Sequence, residues 1–344
     1  MMNKKILVTG AAGFIGYHLS RKLLEKGYEV VGFDNLNSYY DISLKDSRLR
    51  ELNKISLENK FIWNFIRGNL EDENILNELF RKFEPRILVH LGAQAGVRYS
   101  ITNPKEYINS NIIGFQNILE CSRRYNIENL IYASSSSVYG GNLKSPFSEN
   151  DNVNHPVSLY AASKKANELF AHTYSHLYKI PSTALRFFTV YGPWGRPDMA
   201  PMIFTKAILE NKPIRIFNNG DMHRDFTYID DVIEAILRLL NKPAVSDTNF
   251  NKKLPDPSSS WSPHRIFNIG NSNPVSLMRF INIIENELQK EAIKVFEPMQ
   301  EGDVKSTYAD TSKLKEWINY KPSTSLEKGI KNFISWYKSY YKLK

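Results

Sequence analysis

The stretch Thr9-Gly10-Ala11-Ala12-Gly13-Phe14-Ile15-Gly16 decides the fold of this 344-residue chain. It follows a short apolar run at residues 5–9 and opens the segment 13–25, whose apolar residues recur at helical spacing. Residues 29–33 are apolar again and lead into Asp34. A strand, a glycine turn, a helix and a second strand, with an acid about twenty residues past the glycines, form the arrangement that binds a dinucleotide.

The three glycines have separate tasks in such a turn. Gly10 permits the tight turn, Gly13 lets the backbone approach a phosphate, and Gly16 allows the helix to pack closely. The free N–H groups at the start of the helix favour an anion there. A carboxylate at Asp34 would accept hydrogen bonds from a ribose diol and repel a 2′-phosphate, so the pattern predicts NAD rather than NADP. The alternative is a structural turn followed by an ordinary strand-end aspartate.

The same alternation continues along the first half of the chain. Strand-like and helix-like segments follow one another at residues 61–67, 73–83, 87–91, 113–125, 130–134 and 182–187. Repeated units of this kind predict an α/β fold, a Rossmann-type doubly wound parallel sheet. We therefore expect a cofactor-binding domain at residues 1–188, rejoined by residues 228–243.

The pattern changes after residue 188. Gly192-Pro193-Trp194-Gly195-Arg196-Pro197 is a loop by its glycines and prolines, and residues 254–263 form a connection rich in proline and serine. The pattern predicts helices at 276–288 and 324–341. We expect residues 189–227 and 244–344 to form a smaller domain that recognises the substrate.

Tyr160 and Lys164 stand four residues apart in Ser158-Leu159-Tyr160-Ala161-Ala162-Ser163-Lys164-Lys165. On a helix this spacing places both side chains on one face, where an ammonium can lower the pKa of a phenol. Such a pair is suited to remove a proton from a hydroxyl while hydride leaves for a nicotinamide ring. The alternative for this spacing alone is an exposed helical turn.

Composition excludes several other classes. The chain is 42% hydrophobic and 24% charged, which is typical of a globular protein with a large core. The single cysteine, Cys121, excludes an intrachain disulfide framework and indicates a reducing compartment. No apolar run approaches the ~20 residues of a membrane helix. The net charge of +9 is spread along the chain and forms no basic patch for nucleic acid. Because the chain has one cysteine and no apolar run of membrane-helix length, we expect a soluble cytoplasmic protein.

Longer motifs identify a resemblance. The serine run ASSSSVYG at residues 133–140, with the glycine turn and Tyr160/Lys164, resembles the extended short-chain dehydrogenase/reductases that act on nucleotide sugars. The strings DNLNSYYD at 34–41, QAGVRYS at 94–100 and RFFTVYGPWGRPDMA at 186–200 look like the UDP-glucuronate 4-epimerases within that group, as does RDFTY at residues 224–228. The resemblance covers essentially the whole chain.

The resemblance implies an isomerase. Tyr160 as phenolate takes the proton of the sugar C4 hydroxyl, and the C4 hydride passes to tightly held NAD. The 4-keto sugar then turns within the site, and hydride returns to its opposite face. The resemblance also implies a homodimer that uses the helix at 161–178, and a role in supplying galacturonate for surface polysaccharide.

The implied site residues fall into three groups. The catalytic residues are Tyr160, Lys164 and Ser135. Of these, Ser135 would form a hydrogen bond to the C4 oxygen. The cofactor contacts, besides Tyr160 and Lys164, are Gly10, Gly13, Phe14, Ile15, Gly16, Asp34, Asn35, Asn69, Leu70 and Gln94. The contacts to the UDP-sugar are Arg98, Ser136, Ser137, Thr189, Arg196 and Arg224, with Arg224 on the diphosphate.

Residue types favour simple epimerisation. Relatives that dehydrate or decarboxylate the sugar carry acids just after the catalytic Ser or Thr, whereas this chain has Ser136 and Ser137. A 4-keto glucuronate is a β-keto acid, so an epimerase must hold its carboxylate against loss of carbon dioxide. Hydroxyls at Ser136, Ser137 and Thr189 could do this. For Arg98 and Arg196, binding of the carboxylate, binding of the diphosphate and a surface role all stay open.

Some positions depart from the resemblance or allow rivals. Asn69 stands where many relatives carry an aspartate near the adenine, and Gln300-Glu301 precede Gly302-Asp303 where an arginine is usual. Asn111 resembles a structural asparagine beside the catalytic helix. Rival functions are a non-catalytic NAD sensor or an epimerase for UDP-glucose or UDP-N-acetylglucosamine, although Thr189 replaces the asparagine usual in galactose-type relatives. A metal site is not expected, since the histidines lack an HExxH pattern.

For Ser134 to Ser137 the alternative to a direct role is a polar strand end. For the outer two serines, Ser134 and Ser137, both readings stay open, because loop serines commonly serve turns.

Overall fold

The computed structural model describes residues 5–300 and 303–343. Its strands are β1 (Lys5–Thr9), β2 (Glu29–Asp34), β3 (Trp63–Arg67), β4 (Ile87–His90), β5 (Asn129–Ser135), β6 (Ser182–Phe187), β7 (Thr189–Tyr191), β8 (Pro213–Ile216), β9 (His223–Tyr228), β10 (His264–Ile269), β11 (Pro274–Ser276) and β12 (Ile293–Phe296). Its α-helices are α1 (Phe14–Glu25), α2 (Ile42–Asn59), α3 (Glu73–Phe83), α4 (Tyr99–Thr102), α5 (Pro104–Tyr107), α6 (Gly114–Arg124), α7 (Leu159–Tyr178), α8 (Ala200–Leu209), α9 (Ile229–Leu240), α10 (Leu277–Leu288), α11 (Ser312–Ile318) and α12 (Leu326–Tyr340).

Seven strands form the central sheet in the order β10-β6-β5-β4-β1-β2-β3, and every neighbouring pair is parallel. The order reverses beside β1, which pairs with β2 on one side and β4 on the other. Ligands of such sheets bind at this switch point, outside the carboxyl ends of the strands. The predicted α/β fold with a doubly wound parallel sheet is confirmed.

The central sheet is buried on both faces. Along β1, Ile6 and Val8 point into one hydrophobic cluster with α1 and α9, whereas Leu7 points into a second cluster with α3 and α6. Alternate residues of a strand face opposite sides, so a sheet with two covered faces needs continuous apolar strands. This explains why the sequence shows apolar runs rather than strict alternation.

Two smaller sheets accompany the second region. Strands β11, β9 and β7 form a three-stranded sheet, and β12 pairs with β8. The cluster that covers one face of the central sheet continues into α8, α10 and α12, so both regions share one core. Across residues 5–300 and 303–343, no helix combines the length and apolar character needed to cross a bilayer.

One segment departs from the predicted domain boundaries. Residues 244–344 were expected in the substrate domain, but β10 pairs in parallel with β6 at the edge of the central sheet. Asn268 is paired with Arg186, and β10 thus adds one strand to the sheet although residues 188–263 separate it from β6. A pairing between strands so far apart in sequence leaves no local signal. The remainder of the division stays a prediction.

The helix predicted at residues 113–125 begins differently. The chain forms a π-helical segment from Ile108 to Ile113 that continues directly into α6. Asn111 lies in this segment and is buried. Such bulges are rare and occur mostly beside functional sites.

Gly329 on α12 offers a test of the shared core. An alanine in a helix interior normally gains about 1 kcal/mol over glycine. Here a Cβ would lie 2.0 Å from the hydroxyl of the buried Tyr191. Because overpacking costs roughly 1–3 kcal/mol, we expect Gly329→Ala to lower the free energy of unfolding, measured by chemical denaturation. In a Tyr191→Leu background, which removes the ring's outer atoms, the same alanine should cost less; an equal cost in both backgrounds would contradict this explanation.

Candidate active site

A cavity of about 980 Å³ opens at the carboxyl ends of the central strands. Its wall is formed by the glycine turn, the first turns of α7, the loop after β7 and segments of the C-terminal region. It brings together nearly all predicted site residues, namely Gly10, Gly13, Phe14, Ile15, Gly16, Asp34, Asn35, Leu70, Gln94, Arg98, Ser135, Ser136, Ser137, Tyr160, Lys164, Thr189, Arg196 and Arg224.

Asn69 is the predicted residue that does not line this wall. It is exposed in the turn after β3, and its carbonyl accepts a hydrogen bond from Asp72 N before α3. Its predicted contact with the cofactor stays a prediction. Glu301, which stands where an arginine is usual before Asp303, lies outside the described residues, as does Gly302.

The glycine turn forms a cradle of bare backbone. Gly10 has a positive φ of 70°, and its N–H donates to Phe33 O at 2.7 Å. A Cβ on Gly16 would lie 2.1 Å from Gly10 O, so only glycine lets α1 start this close to the turn. The free N–H groups at the start of α1 can receive a diphosphate.

Asp34 closes the cofactor end of the cavity. Its carboxylate is buried and accepts hydrogen bonds from Ala12 N at 3.1 Å and Leu36 N at 2.9 Å. Each oxygen keeps a lone pair for a ribose hydroxyl. Lys45, which sequence reasoning missed, lies nearby, but its ammonium donates to the backbone and side-chain oxygens of Asn37 at 2.8 Å. The cradle and this carboxylate fit NAD.

Helix α7 carries the predicted catalytic pair. Ser158 caps it by accepting a hydrogen bond from Ala161 N, which fixes the turn that holds Tyr160. Lys164 is buried and donates from Nζ to Ala133 O at 2.9 Å, and burial lowers its pKa to about 8. Both side chains reach the cavity from one helix face.

Two groups across the cavity act on Tyr160. Burial raises the pKa of Tyr160, while the hydroxyl of Ser135 and the charge of Arg196 lower it. The sequence predicted Lys164 in that role as well, which stays a prediction; its ammonium donates a hydrogen bond to the strand carbonyl of Ala133. Spacing along a helix shows which face two side chains share, and it does not show which neighbour across the cavity comes closer.

The serine run divides between structure and cavity. Ser134 donates from Oγ to Glu168 at 2.7 Å and is buried, so its role is structural. Ser135 accepts from Ser137 N at 3.1 Å and donates to Ser137 Oγ at the same distance. Ser136 and Ser137 line the cavity beside Thr189.

A buried ion pair lies beneath the catalytic helix. Arg186 on β6 donates to both carboxylate oxygens of Glu168 on α7, at 2.8 and 2.9 Å. Burial alone would raise the pKa of Glu168, but Arg186 overrides it and holds that pKa at about 2. Sequence reasoning missed this pair, since Glu168 belongs to no motif and Arg186 was noted only as the first residue of the string at 186–200.

Asn111 and Gln94 join the π-helical segment to the site. Gln94 N donates to Asn111 Oδ1 at 2.8 Å, and Asn111 Nδ2 donates to Gln94 O and to Ser163 Oγ, each at 3.0 Å. Asn167 on α7 donates to Asn111 O at 2.6 Å. These bonds place Asn111 in a structural position beside α7.

Three arginines gather around Phe217 and Asp303. Arg98 pairs with Asp303 at 2.8 Å and lies over the Phe217 ring, as does Arg215. Arg224 donates to His223 O and Lys305 O, and burial lowers its pKa. Arg215 and Phe217 carried no motif in the sequence.

Arg196 occupies a different part of the wall. It pairs with Asp198, and its charge reaches Tyr160. Asp198 also accepts a hydrogen bond from the Tyr39 hydroxyl at 3.0 Å. Asp198 and Tyr39 line the cavity and were not among the predicted site residues.

The histidines on α7 serve packing contacts. His172 Nε2 bonds with Ser260 Oγ at 2.8 Å, and His176 Nδ1 lies 3.3 Å from Ser262 Oγ. These contacts hold the serine-rich connection before β10 against the helix.

Comparisons with known proteins agree with this site. Residues 6–270 match the model of the NAD dependent epimerase/dehydratase family. The chain is 55% identical to Protein CapI of Staphylococcus aureus, covering 98% of this chain and 99% of that protein. It is 47% identical to UDP-glucuronate 4-epimerase 1 of Arabidopsis thaliana, covering 98% and 77%.

A solved structure is also similar over the full length. The UDP-glucuronic acid 4-epimerase from Bacillus cereus, in complex with UDP-glucuronic acid and NAD, superposes with a TM-score of 0.86 at 34% identity. The similarity covers 98% of this chain and 100% of that one. This chain is a member of the NAD dependent epimerase/dehydratase family.

Proposed function

We propose that this protein is a UDP-glucuronate 4-epimerase, which interconverts UDP-glucuronate and UDP-galacturonate through a 4-keto sugar. The observation that carries the proposal is a single cavity that joins the glycine cradle, the Tyr160–Ser135 pair and a wall of hydroxyls and Arg196. The relatives named UDP-glucuronate 4-epimerase support the choice of sugar. Ser136 and Ser137 provide no acid for elimination.

The proton step belongs to Tyr160. As phenolate it removes the proton from the sugar C4 hydroxyl and later returns one to the C4 oxygen. Ser135 supports the phenolate, because its hydroxyl lowers the pKa of Tyr160 against the effect of burial. NAD, when bound, supplies a reversible acceptor for the C4 hydride. Lys164, fixed to Ala133 O, supplies a buried ammonium at the same wall.

The hydroxyl wall would protect the intermediate. A 4-keto glucuronate loses carbon dioxide when its breaking bond aligns with the carbonyl π-system. Hydroxyls of Ser136, Ser137 and Thr189 can hold the carboxylate out of that alignment, with Arg196 supplying charge. Their common position on the cavity wall supports this role.

The diphosphate would bind at the other arginines. Arg98 and Arg215 lie over the Phe217 ring, and Arg224 is close enough to Arg98 and Asp303 to feel their charges. The planar guanidinium groups of these arginines suit phosphate oxygens. We therefore assign Arg196 to the sugar and Arg98 and Arg224 to UDP. The segments 189–227 and 244–344, apart from β10, would form the nucleotide-sugar domain.

A second copy of the chain would be the partner, in the cytoplasm. Leu169, Phe170, Leu177 and Tyr178 on α7 expose apolar surface, as does Ile113 at the start of α6. Contiguous exposed apolar side chains on neighbouring helices are typical of an interface. Cys121 is buried with a pKa raised to about 12, as suits a thiol that stays reduced.

The activity is tested by a ¹H NMR time course with UDP-glucuronate and no added reductant, in which UDP-galacturonate should appear. Tyr160→Phe removes the proton acceptor and should slow the reaction about 10²–10⁴-fold, with bound NAD retained. Tyr28→Phe is the control and should be fully active, because Tyr28 precedes the first residue of β2 and does not line the cavity. Turnover of UDP-glucose or UDP-N-acetylglucosamine instead would overturn the choice of substrate.

The hydroxyl wall is tested by its product ratio. Replacing Thr189 and Ser136 by alanine should raise the fraction of decarboxylated UDP-pentose relative to UDP-galacturonate, because the carboxylate is no longer restrained. Thr248→Ala, at an exposed position before β10 and outside the cavity wall, is the control. An unchanged ratio, quantified by NMR or chromatography, would refute the restraint.

The dimer is tested by light scattering after size exclusion. The wild type should have twice the mass of one chain, and Leu169→Glu with Leu177→Glu should yield monomers, since a buried unpaired carboxylate is strongly unfavourable. Leu57→Glu is matched in type and is 82% exposed on α2, so it should stay dimeric. A monomeric wild type would contradict the partner assignment.

A further inference from the structure

A carboxylate in the cavity wall is bonded to the arginine that faces Tyr160. Asp198 Oδ1 accepts from Arg196 Nε at 3.0 Å, and Oδ2 accepts from Arg196 Nη2 at 2.5 Å. The Tyr39 hydroxyl donates to the same Oδ2 at 3.0 Å. Three donors therefore hold this carboxylate, which gives Arg196 a counter-charge inside the site.

Tyr39 ties the pair to the cofactor side of the cavity. Tyr39 follows the end of β2 by five residues. Arg196 Cζ lies over the Tyr39 ring, 5.8 Å from the ring centroid. A Cβ on Gly96 would lie 2.4 Å from the Tyr39 hydroxyl. Gly96 also has a positive φ of 103°, so the chain leaves room for this hydroxyl in two ways. The position of Asp198 is thus fixed from both sides.

The cavity contains few other negative groups. Among the described residues that line it, the carboxylates are Asp34, Asp198 and Asp303. Asp34 receives backbone N–H groups at the cofactor end, and Asp303 pairs with Arg98. Asp198 is the one bonded to Arg196, whose charge acts on Tyr160.

We propose that Asp198 is a positioning residue that moderates Arg196, so that the sugar carboxylate is oriented without being trapped. The inference rests on the proposed function, because it concerns an acidic sugar that must turn between two hydride transfers. A half-buried arginine free of Asp198 could form a bidentate pair with the sugar carboxylate, which is among the strongest side-chain contacts. With Asp198 in place, the substrate competes for a guanidinium that already has a partner, and its contacts exchange readily.

Asp198→Asn should separate binding from turnover. Loss of one negative charge beside Arg196 should raise the affinity for UDP-glucuronate relative to UDP-glucose by about tenfold, measured by calorimetry on the NAD-loaded protein. The kcat for UDP-glucuronate should fall, because the sugar is released from Arg196 more slowly. Equal changes for both ligands, or a selective loss of UDP-glucuronate affinity, would overturn the proposal.

The pH profile gives a second readout. The titratable or charged groups near Tyr160 are Arg196 and Asp198 on the loop after β7, Tyr107 on α5, Tyr39 after β2 and Lys164 on α7 itself. Removing the charge of Asp198 favours the phenolate, so the limb on which kcat rises with pH should move down by about one unit. A profile that does not move would count against the proposal.

Two further variants exclude a merely structural effect. Asp198→Glu restores the charge and should restore the binding selectivity, whereas Tyr39→Phe keeps the carboxylate and should shift selectivity in the same direction as Asp198→Asn but by less. Glu291→Gln, at an exposed position after α10, controls for net charge. Failure of Asp198→Glu to restore selectivity in a folded, NAD-loaded protein would refute the role of charge. If the wild type binds UDP-glucuronate but forms no UDP-galacturonate, the proposed function fails, and the binding ratio still decides the role of Asp198.

Discussion

The buried ion pair between Arg186 and Glu168 determines how the catalytic helix lies on the sheet. Both side chains are almost wholly buried, and Ser134 adds a third bond to the carboxylate. Breaking such a pair by removing one partner costs roughly 3–5 kcal/mol, whereas replacing both by apolar residues is often neutral. The pair therefore serves to position α7 rather than to stabilise the fold. It holds α7, with Tyr160 and Lys164, against the end of β5 that supplies Ser135.

A second buried arginine joins the two halves of the cavity. Arg48 on α2 donates to Ala12 O in the glycine turn at 2.8 Å and to Trp194 O at 2.6 Å, and to the hydroxyl of Tyr40. Trp194 belongs to the loop that carries Arg196. The backbone that would receive the cofactor diphosphate and the loop that would contact the sugar are thus held by one guanidinium. Arginine's planar fork makes such a junction possible, and lysine could not replace it.

Local patterns explain what the sequence predicted well. The βα alternation, the glycine turn and the Tyr160–Lys164 spacing depend on neighbours within one element or one turn, and the structure has all of them. Three features depend on residues that are far apart in the chain, where periodicity carries no information. They are the position of β10 beside β6, the Arg186–Glu168 ion pair and the Asp198–Tyr39 hydrogen bond. The hydrogen bond from Lys164 to Ala133 O had no local signal for the same reason, because Ala133 lies on a strand 31 residues earlier.

Most of the arginines around the cavity are paired with acids, which the net charge of the chain does not reveal. The chain carries a net charge of +9, yet three of the four arginines around the site contact an acid: Arg98 with Asp303, Arg196 with Asp198 and Arg215 with Glu297. The fourth, Arg224, donates to the backbone carbonyls of His223 and Lys305. A guanidinium with an acidic partner is already oriented before an anion arrives, which reduces the ordering that binding requires. It also binds that anion less tightly, since the acid competes for its N–H groups. A site that must hold an anionic nucleotide sugar, release its sugar ring and receive it again on the other face is served by arginines that are ordered and only partly free.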